Sequence, residues 1–437
     1  MKTYGNQYIR PKLSKRRLKI CAAAEQLEAW SRPAPEFTPS AEFVAMLNRQ
    51  WDYGYPDNNA FVMHMRADPD EVVGRILVIV YQWIHEFLKK KPLFKGASLE
   101  TPVLYTQAPE DFSDRRSGKL FLGVGVGANE HKLPPEYQEN ECCATLTRKI
   151  LGLEKDDPLF APVITSAVLD DLHASSARDS LAQFMKRAYR LGTDTPTVVG
   201  WATDRYLQWH EELKSGSNFT VEDADPQLVS KCVTLLQSAA CLDLNNPRLY
   251  VLEKAANLEK RLAADSLMKM AIRANCLSEP PEQTLSWFAS KVNEWYHDLV
   301  NSSPENLWPE LQRAGELEEM TIQNRKITLA IIHTDRLADP KYTEYLAKFA
   351  RWEKGWDASL VFQRNADGNT QIFPNKRKRP KVRLRGVAHA LMKIEPDWWH
   401  FPHYEVILNG SLKHNKPPTR LQIQDLKDLV KDNAWLE

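Results

Sequence analysis

The residues best suited to chemistry lie in one short run, Met63-His64-Met65-Arg66-Ala67-Asp68-Pro69-Asp70-Glu71-Val72-Val73-Gly74. An apolar stretch ends at His64 and a helical pattern begins after Asp68. That places His64, Asp68 and Asp70 outside the carboxyl end of a strand, where ligand sites of open α/β sheets form. Hard carboxylates beside an imidazole suit Mn²⁺ or Mg²⁺ and the activation of water for attack on a phosphate. Without an ion, the same aspartates are an acidic helix N-terminus favoured by the macrodipole. A second cluster, Lys376-Arg377-Lys378-Arg379-Pro380-Lys381-Val382-Arg383-Leu384-Arg385, sets seven basic residues in ten positions with no acid between them. Such a run either contacts phosphates or is a solvated loop or localisation signal. Gly123, Gly125 and Gly127 lack the third glycine and the following helix of a dinucleotide fingerprint, so they read as close packing of strand and loop.

The elements that position these residues alternate. Ala60 to His64 reads as a strand, and Val72, Val73, Ile76, Leu77, Val80, Trp83, Ile84 and Phe87 recur at helical spacing. Strands are expected at Pro102 to Tyr105 and Lys119 to Val126, with a helix from Glu141 to Leu151, which is the order of a parallel α/β sheet. Pro162 to Leu169 leads into Asp170 and Asp171. From about Arg178 to Asn324 nearly every segment reads as helix, broken near Pro196, Ser215, Pro247, Pro280 and Pro304, and no self-similar period is evident. A strand at Thr328 to His333, a helix at Lys341 to Trp352 and a hairpin of Ala358 to Arg364 with Thr370 to Phe373 follow. A helix at Arg385 to Ile394, a strand at Tyr404 to Leu408 and a helix at Leu421 to Lys431 complete the chain. The expected organisation is a basic N-terminal extension (1–55), a parallel-sheet domain (56–215), a helical insert (216–326) and a smaller C-terminal α/β domain (327–437).

Composition bounds the class. The chain has 437 residues, 43% hydrophobic and 26% charged, which excludes a disordered or low-complexity protein. With 58 Lys+Arg against 57 Asp+Glu the formal charge is +1, so any basic surface is local and not a property of the whole. Six cysteines without a CxxC pair read as reduced, buried thiols, and the apolar stretch Ile76 to Leu88 is too short and interrupted to span a bilayer. The basic first twenty residues lack the apolar core of a secretory signal, and a cytoplasmic chain is expected.

The pattern His64-x-x-x-Asp68-x-Asp70-x-x-x-Gly74 after a strand resembles the first motif of the DHH phosphoesterase superfamily. Leu122-Gly123-Val124-Gly125-Val126-Gly127-Ala128-Asn129-Glu130-His131 sits where that superfamily carries its Asp-His-His triplet, and Val168-Leu169-Asp170-Asp171-Leu172-His173 resembles its fourth motif, an Asp at a strand end. Glu141-Cys142-Cys143-Ala144-Thr145-Leu146, Gln371-Ile372-Phe373-Pro374-Asn375 and Val406 to Leu412 are similar to the branch related to the melanocyte-proliferating-gene (Myg-type) RNA exonucleases. The resemblance implies a DHH-like catalytic domain and a C-terminal domain facing it across a cleft. It implies Mn²⁺ or Mg²⁺ held by His64, Asp68, Asp70, His131, Asp170 and Asp171, with Asp68, Asp70 and His131 as catalytic residues. Arg66 and the basic residues Lys376, Arg377, Lys378, Arg379, Lys381, Arg383 and Arg385 would then contact the phosphates of short or single-stranded nucleic acid, RNA before DNA. The chain departs from the pattern at Gly123 and Asn129, where the family carries aspartates. The alternative is therefore a DHH-like fold whose metal site has decayed and which serves as a nucleic-acid-binding or complex-forming subunit.

Overall fold

The computed structural model describes residues 36–52, 59–106, 118–124, 127–129, 133–138, 140–173, 176–242, 262–400, 406–410 and 417–437. The basic N-terminal arm and His131 lie outside them. Helix α1 (Ala41–Asp52) packs Leu47 and Trp51 beneath the first strand, β1 (Ala60–His64), all five residues of which are buried. Helix α2 (Pro69–Phe87) follows with Pro69 in its first turn, where a missing N–H is no loss. Strands β2 (Val103–Thr106), β3 (Lys119–Leu122) and β4 (Gly127–Ala128) complete a four-stranded sheet of order β2-β1-β3-β4 among the described residues. Every pairing is parallel, which places the ends of β1 and β3 side by side. The strand expected to reach Val126 stops at Leu122, since Gly123 turns the chain at φ +70°.

Helices α3 (Pro135–Gln138), α4 (Cys143–Ile150) and α5 (Ala161–Asp171) follow. The last of these corrects the expectation that Asp170 and Asp171 end a strand. Pro162 is helix-initiating at its place in the first turn, and the buried residues Val163, Ile164, Ala167 and Asp170 recur at helical, not alternating, spacing.

The helical region contains an internal repeat, against the expectation of no self-similar period. Helices α6 (Leu181–Arg190) and α7 (Thr195–Ser215) precede α8 (Pro226–Leu242). Helices α9 (Leu267–Cys276) and α10 (Pro281–Asn301) then reproduce α6 and α7 at the same lengths, each displaced by 86 residues. Asp179, Ser180, Arg187, Trp201 and Trp209 recur as Asp265, Ser266, Arg273, Trp287 and Trp295. The contacts between the copies are reciprocal, as in an isologous interface. The Leu181 amide donates to the Asp265 carbonyl at 2.8 Å, and the Leu267 amide to the Asp179 carbonyl at 2.7 Å. Arg187 stacks on Trp295 and Arg273 on Trp209, at 4.9 and 4.7 Å, while Arg205 covers Trp287 and Lys291 covers Trp201. Arg187 pairs with Asp298 and Arg273 with Glu212, again equivalent positions.

Helix α11 (Pro304–Ala314) leads into β5 (Gly315–Ile322) and β6 (Arg325–His333), so the helical reading to Asn324 is corrected. Gln323 and Asn324 both adopt positive φ, 48° and 61°, the two-residue hairpin turn whose twist suits antiparallel strands. Helix α12 (Thr343–Ala350), β7 (Leu360–Arg364), β8 (Thr370–Pro374), β9 (Val382–Arg383), α13 (Arg385–Ile394), β10 (Trp399–His400), β11 (Ile407–Asn409), α14 (Ile423–Asn433) and β12 (Trp435–Leu436) complete the chain. Among the described residues this sheet has six strands, β10-β11-β8-β7-β6-β5, parallel only between β6 and β7. One face packs on α11 and α12 and the other on α13 and α14. No described helix is long and apolar enough to cross a membrane.

The seam of the repeat has a pH signature. Asp179 is buried, its Oδ2 has no hydrogen-bond partner, and burial pushes its carboxyl up to about 6, with Asp265 across the seam adding to the rise. A carboxyl raised in the folded state holds its proton there more tightly. Stability is therefore complete below about pH 4 and falls as pH climbs through 6. Asp179→Asn is expected to match the wild type in urea unfolding at pH 4 and to exceed it by on the order of 3 kcal/mol at pH 7. A constant difference between the two at all pH values would show that this carboxyl does not carry the effect.

Candidate functional site

Strand β1 delivers His64 to the turn before α2, and the first turn of α2 returns Glu71 to it. Glu71 Oε2 accepts from the His64 amide at 2.9 Å, and Oε1 lies 2.5 Å from His64 Nδ1, with both residues buried. An ionised Glu71 keeps the proton on Nδ1 and makes Nε2 the lone-pair nitrogen, the way a carboxylate orients a metal-binding histidine. Gly123 makes the room. A Cβ at that position, already at φ +70°, would lie 2.7 Å from Glu71 Cγ. The family resemblance calls for a carboxylate at 123, and here the space it would enter holds Glu71.

Asp70 is likewise buried, and its Oδ2 accepts from the Cys143 amide at 2.9 Å, tying α2 to the start of α4. Asp70, Cys142 and Asp171 present ligand atoms that all lie within 4.8 Å of one another. Asp170, about 100° further round the same helix, faces another way. Its Oδ2 is 2.7 Å from Lys186 Nζ and its Oδ1 accepts from Ser176 Oγ at 2.7 Å. Burial alone would lower the Lys186 ammonium, but Asp170, Asp68 and Asp171 outweigh it and hold the group above its ordinary value. Behind Asp170, Asp265 accepts from Ser166 Oγ at 2.6 Å, and burial raises its carboxyl.

Thus Asp70, Cys142 and Asp171 converge, while Asp170, beside Asp171 on α5, pairs with Lys186. His131 and Glu130 lie outside the described residues, and Asn129 is buried at the end of β4. Three members were not singled out from the sequence. Glu71 and Cys142 stood inside quoted motifs without a role, and Lys186 offered no local signal. The donor set of two carboxylates and a thiol fits a divalent ion, the thiol suiting Zn²⁺ better than the harder Mn²⁺ or Mg²⁺.

Arg66 is exposed at the rim, and its Nη1 donates to Glu344 Oε1 at 3.1 Å from the first turn of α12. A phosphate reaching Arg66 must displace that carboxylate. The basic run is not one continuous grip. Lys376, Arg377 and Lys378 line a cavity of about 490 Å³ together with Lys348, Arg351 and Trp352, and Lys378 is held by Asp357. Arg383 lies in β9 and pairs with Glu437, a contact to which Lys381 and Arg379 add charge. Arg385 opens α13.

No protein-family model matches the chain, and no curated protein matches it. Among solved structures it is similar to a DHH domain described as a member of a family of ribosomal proteins. The identity is 10%, the TM-score 0.33, and the match covers 95% of this chain and 96% of that one. A superposition that loose places no residue of one chain on a residue of the other, so the functional reading rests on this chain's own side chains.

Two outcomes are expected. Gly123→Asp strains the backbone and drives a side chain into Glu71, so it should unfold at clearly lower urea than the wild type, by on the order of 2 kcal/mol or more. Gly123→Asp with Glu71→Ala should recover part of that loss in a double-mutant cycle, and strict additivity would separate the two residues. For the basic segment, neutralising Lys348, Lys376 and Arg377 should flatten the dependence of log affinity on log salt for single-stranded RNA by about two units, at about 0.7 per phosphate contact. Arg383→Gln, whose charge already faces Glu437, should leave the slope unchanged. Parallel lines for all variants would place the nucleic-acid contacts elsewhere.

Proposed function

We propose that the chain is a metal-dependent phosphoesterase that hydrolyses phosphodiester ends of short or single-stranded nucleic acid, RNA before DNA, in the manner of the Myg-type exonucleases its motifs resemble. The observation that carries this reading is the convergence of Asp70, Cys142 and Asp171 within 4.8 Å. Carboxylates buried this closely need a counter-charge, and a divalent ion supplies one together with an activated water. In this reading Asp70, Asp171 and Cys142 hold the ion, with His64 Nε2 as a further donor. Asp68 remains at the half-buried mouth as the group able to accept a proton, and Arg66 contacts phosphate once Glu344 has moved aside. The cavity beneath Lys376 and Arg377 receives the adjoining nucleotide. The second reading, a binding subunit with a decayed metal site, is favoured by the lack of a carboxylate at Gly123 and Asn129.

The test is hydrolysis. Purified protein with Mn²⁺ should shorten single-stranded RNA from one end, and chelation should stop it. Asp70→Asn keeps an acceptor for the Cys143 amide but removes the charge, and should lower the rate by at least about a hundredfold while the circular dichroism spectrum stays unchanged. Asn is the better probe than Ala, because Asp70 is buried and hydrogen-bonded, not a surface carboxylate. An inactive wild type that still binds RNA would favour the binding subunit.

A further inference from the structure

We propose that the Lys186 ammonium occupies the place of a second divalent cation, so that the carboxylate cluster takes up one metal ion fewer than its acids would otherwise hold. The inference deepens the reading of this cluster as a metal site, and two independent observations carry it.

The first is geometric. Lys186 Nζ lies 2.7 Å from Asp170 Oδ2. Asp170 is buried, and its neighbours include Asp265, a further carboxylate. Two-ion phosphoesterase sites hold their metals a few ångströms apart by sharing carboxylates, and here the consecutive α5 residues Asp170 and Asp171 meet Lys186 and the Asp70–Cys142 pair respectively. An ammonium on a flexible stem is a compact point charge with three donors. It can neutralise Asp170 and still donate to a phosphate oxygen, but it cannot activate water.

The second is the internal repeat, which separates what the helical framework needs from what the site needs. Positions required by the two-fold packing recur 86 residues on: Asp179 as Asp265, Ser180 as Ser266, Arg187 as Arg273, Ala188 as Ala274. Lys186 instead corresponds to Ile272, which is buried in the helical core. The framework therefore tolerates an apolar side chain at this position, and the lysine answers to a contact that Ile272 does not make, the ion pair with Asp170 at the end of α5. Its neighbours Tyr189 and Arg190 also differ, from Asn275 and Cys276, and they too reach out of the repeat, to the Ala67 carbonyl and to Glu344.

The experiment is equilibrium dialysis of the full chain against Mn²⁺, with bound metal counted by atomic absorption, for wild type, Lys186→Met and Lys186→Arg. The Met variant is expected to bind one more ion per chain than the wild type, and the Arg variant the wild-type number. Mn²⁺ should also raise the melting temperature of the Met variant by more than that of the wild type, because the ion restores the missing charge. Lys186→Gln provides the same comparison if the Met variant does not fold. Equal metal content and equal Mn²⁺ stabilisation in wild type and neutral variants would overturn the proposal. Hydrolysis is scored separately. A wild type that takes up no ion and cleaves nothing, with an ion bound in the Met variant, would sink the phosphoesterase reading yet support the role of Lys186. An active wild type with unchanged stoichiometry in the variants would do the reverse.

Discussion

Ten residues of α6 must satisfy four surroundings at once, and the rest of the molecule is arranged around that constraint. Successive residues on a helix point about 100° apart, so one short helix can serve neighbours on all sides. Arg187 faces the helical core, where its guanidinium lies 4.6 Å from the Phe184 ring and 4.9 Å from that of Trp295. Lys186, one residue before, faces the acids of α5. Tyr189 donates to the Ala67 carbonyl at 3.0 Å and so props the turn between His64 and Asp68. Arg190 reaches Asp298, which also accepts from Tyr345 of the C-terminal sheet domain at 2.8 Å. A shift of α6 would disturb the parallel sheet, the repeat and the C-terminal domain together.

The repeat explains how so exacting a helix is held. Arg187 lies against two aromatic rings and Arg205, Arg273 and Lys291 over one each, and all four are paired with acids, which supplies a buried charge with a counter-charge. Several of the contacts are reciprocal. Arg187 with Asp298 balances Arg273 with Glu212, and the Asp179 and Asp265 carbonyls each receive an amide from the opposite copy. The seam also carries a load, since Asp179 and Asp265 are both buried and both raised by that burial.

The candidate site shows the same economy with charge. Asp70 and Asp171 present ligand atoms close together, and Lys186 places a positive charge on the adjoining Asp170. The Glu71 carboxylate meets the His64 amide and Nδ1. Gly123 permits this by having no side chain, since a Cβ there would lie against Glu71.

Local information was enough to identify β1, α2 and the acidic turn between them, because alternation, helical spacing and a proline in the first turn are properties of neighbouring residues. His64, Asp68 and Asp70 were legible for that reason, as was the Arg385–Ile394 helix. Where local preference opposed packing, the reading failed. Pro162 to Leu169 is rich in β-branched residues but is helical, and Gly315 to Ile322 carries Glu, Leu and Met yet forms a strand, because Gln323 and Asn324 turn it onto β6. The repeat escaped notice because its matches fall at scattered, mostly buried positions, while the residues between them share little. The partners of the site were decided only by the tertiary structure. Glu71 meets Gly123, Cys142 meets Asp171 and Lys186 meets Asp170 across long stretches of chain. No spacing along the sequence encodes a contact that exists only after the sheet, the helical repeat and the end of α5 have closed on one another.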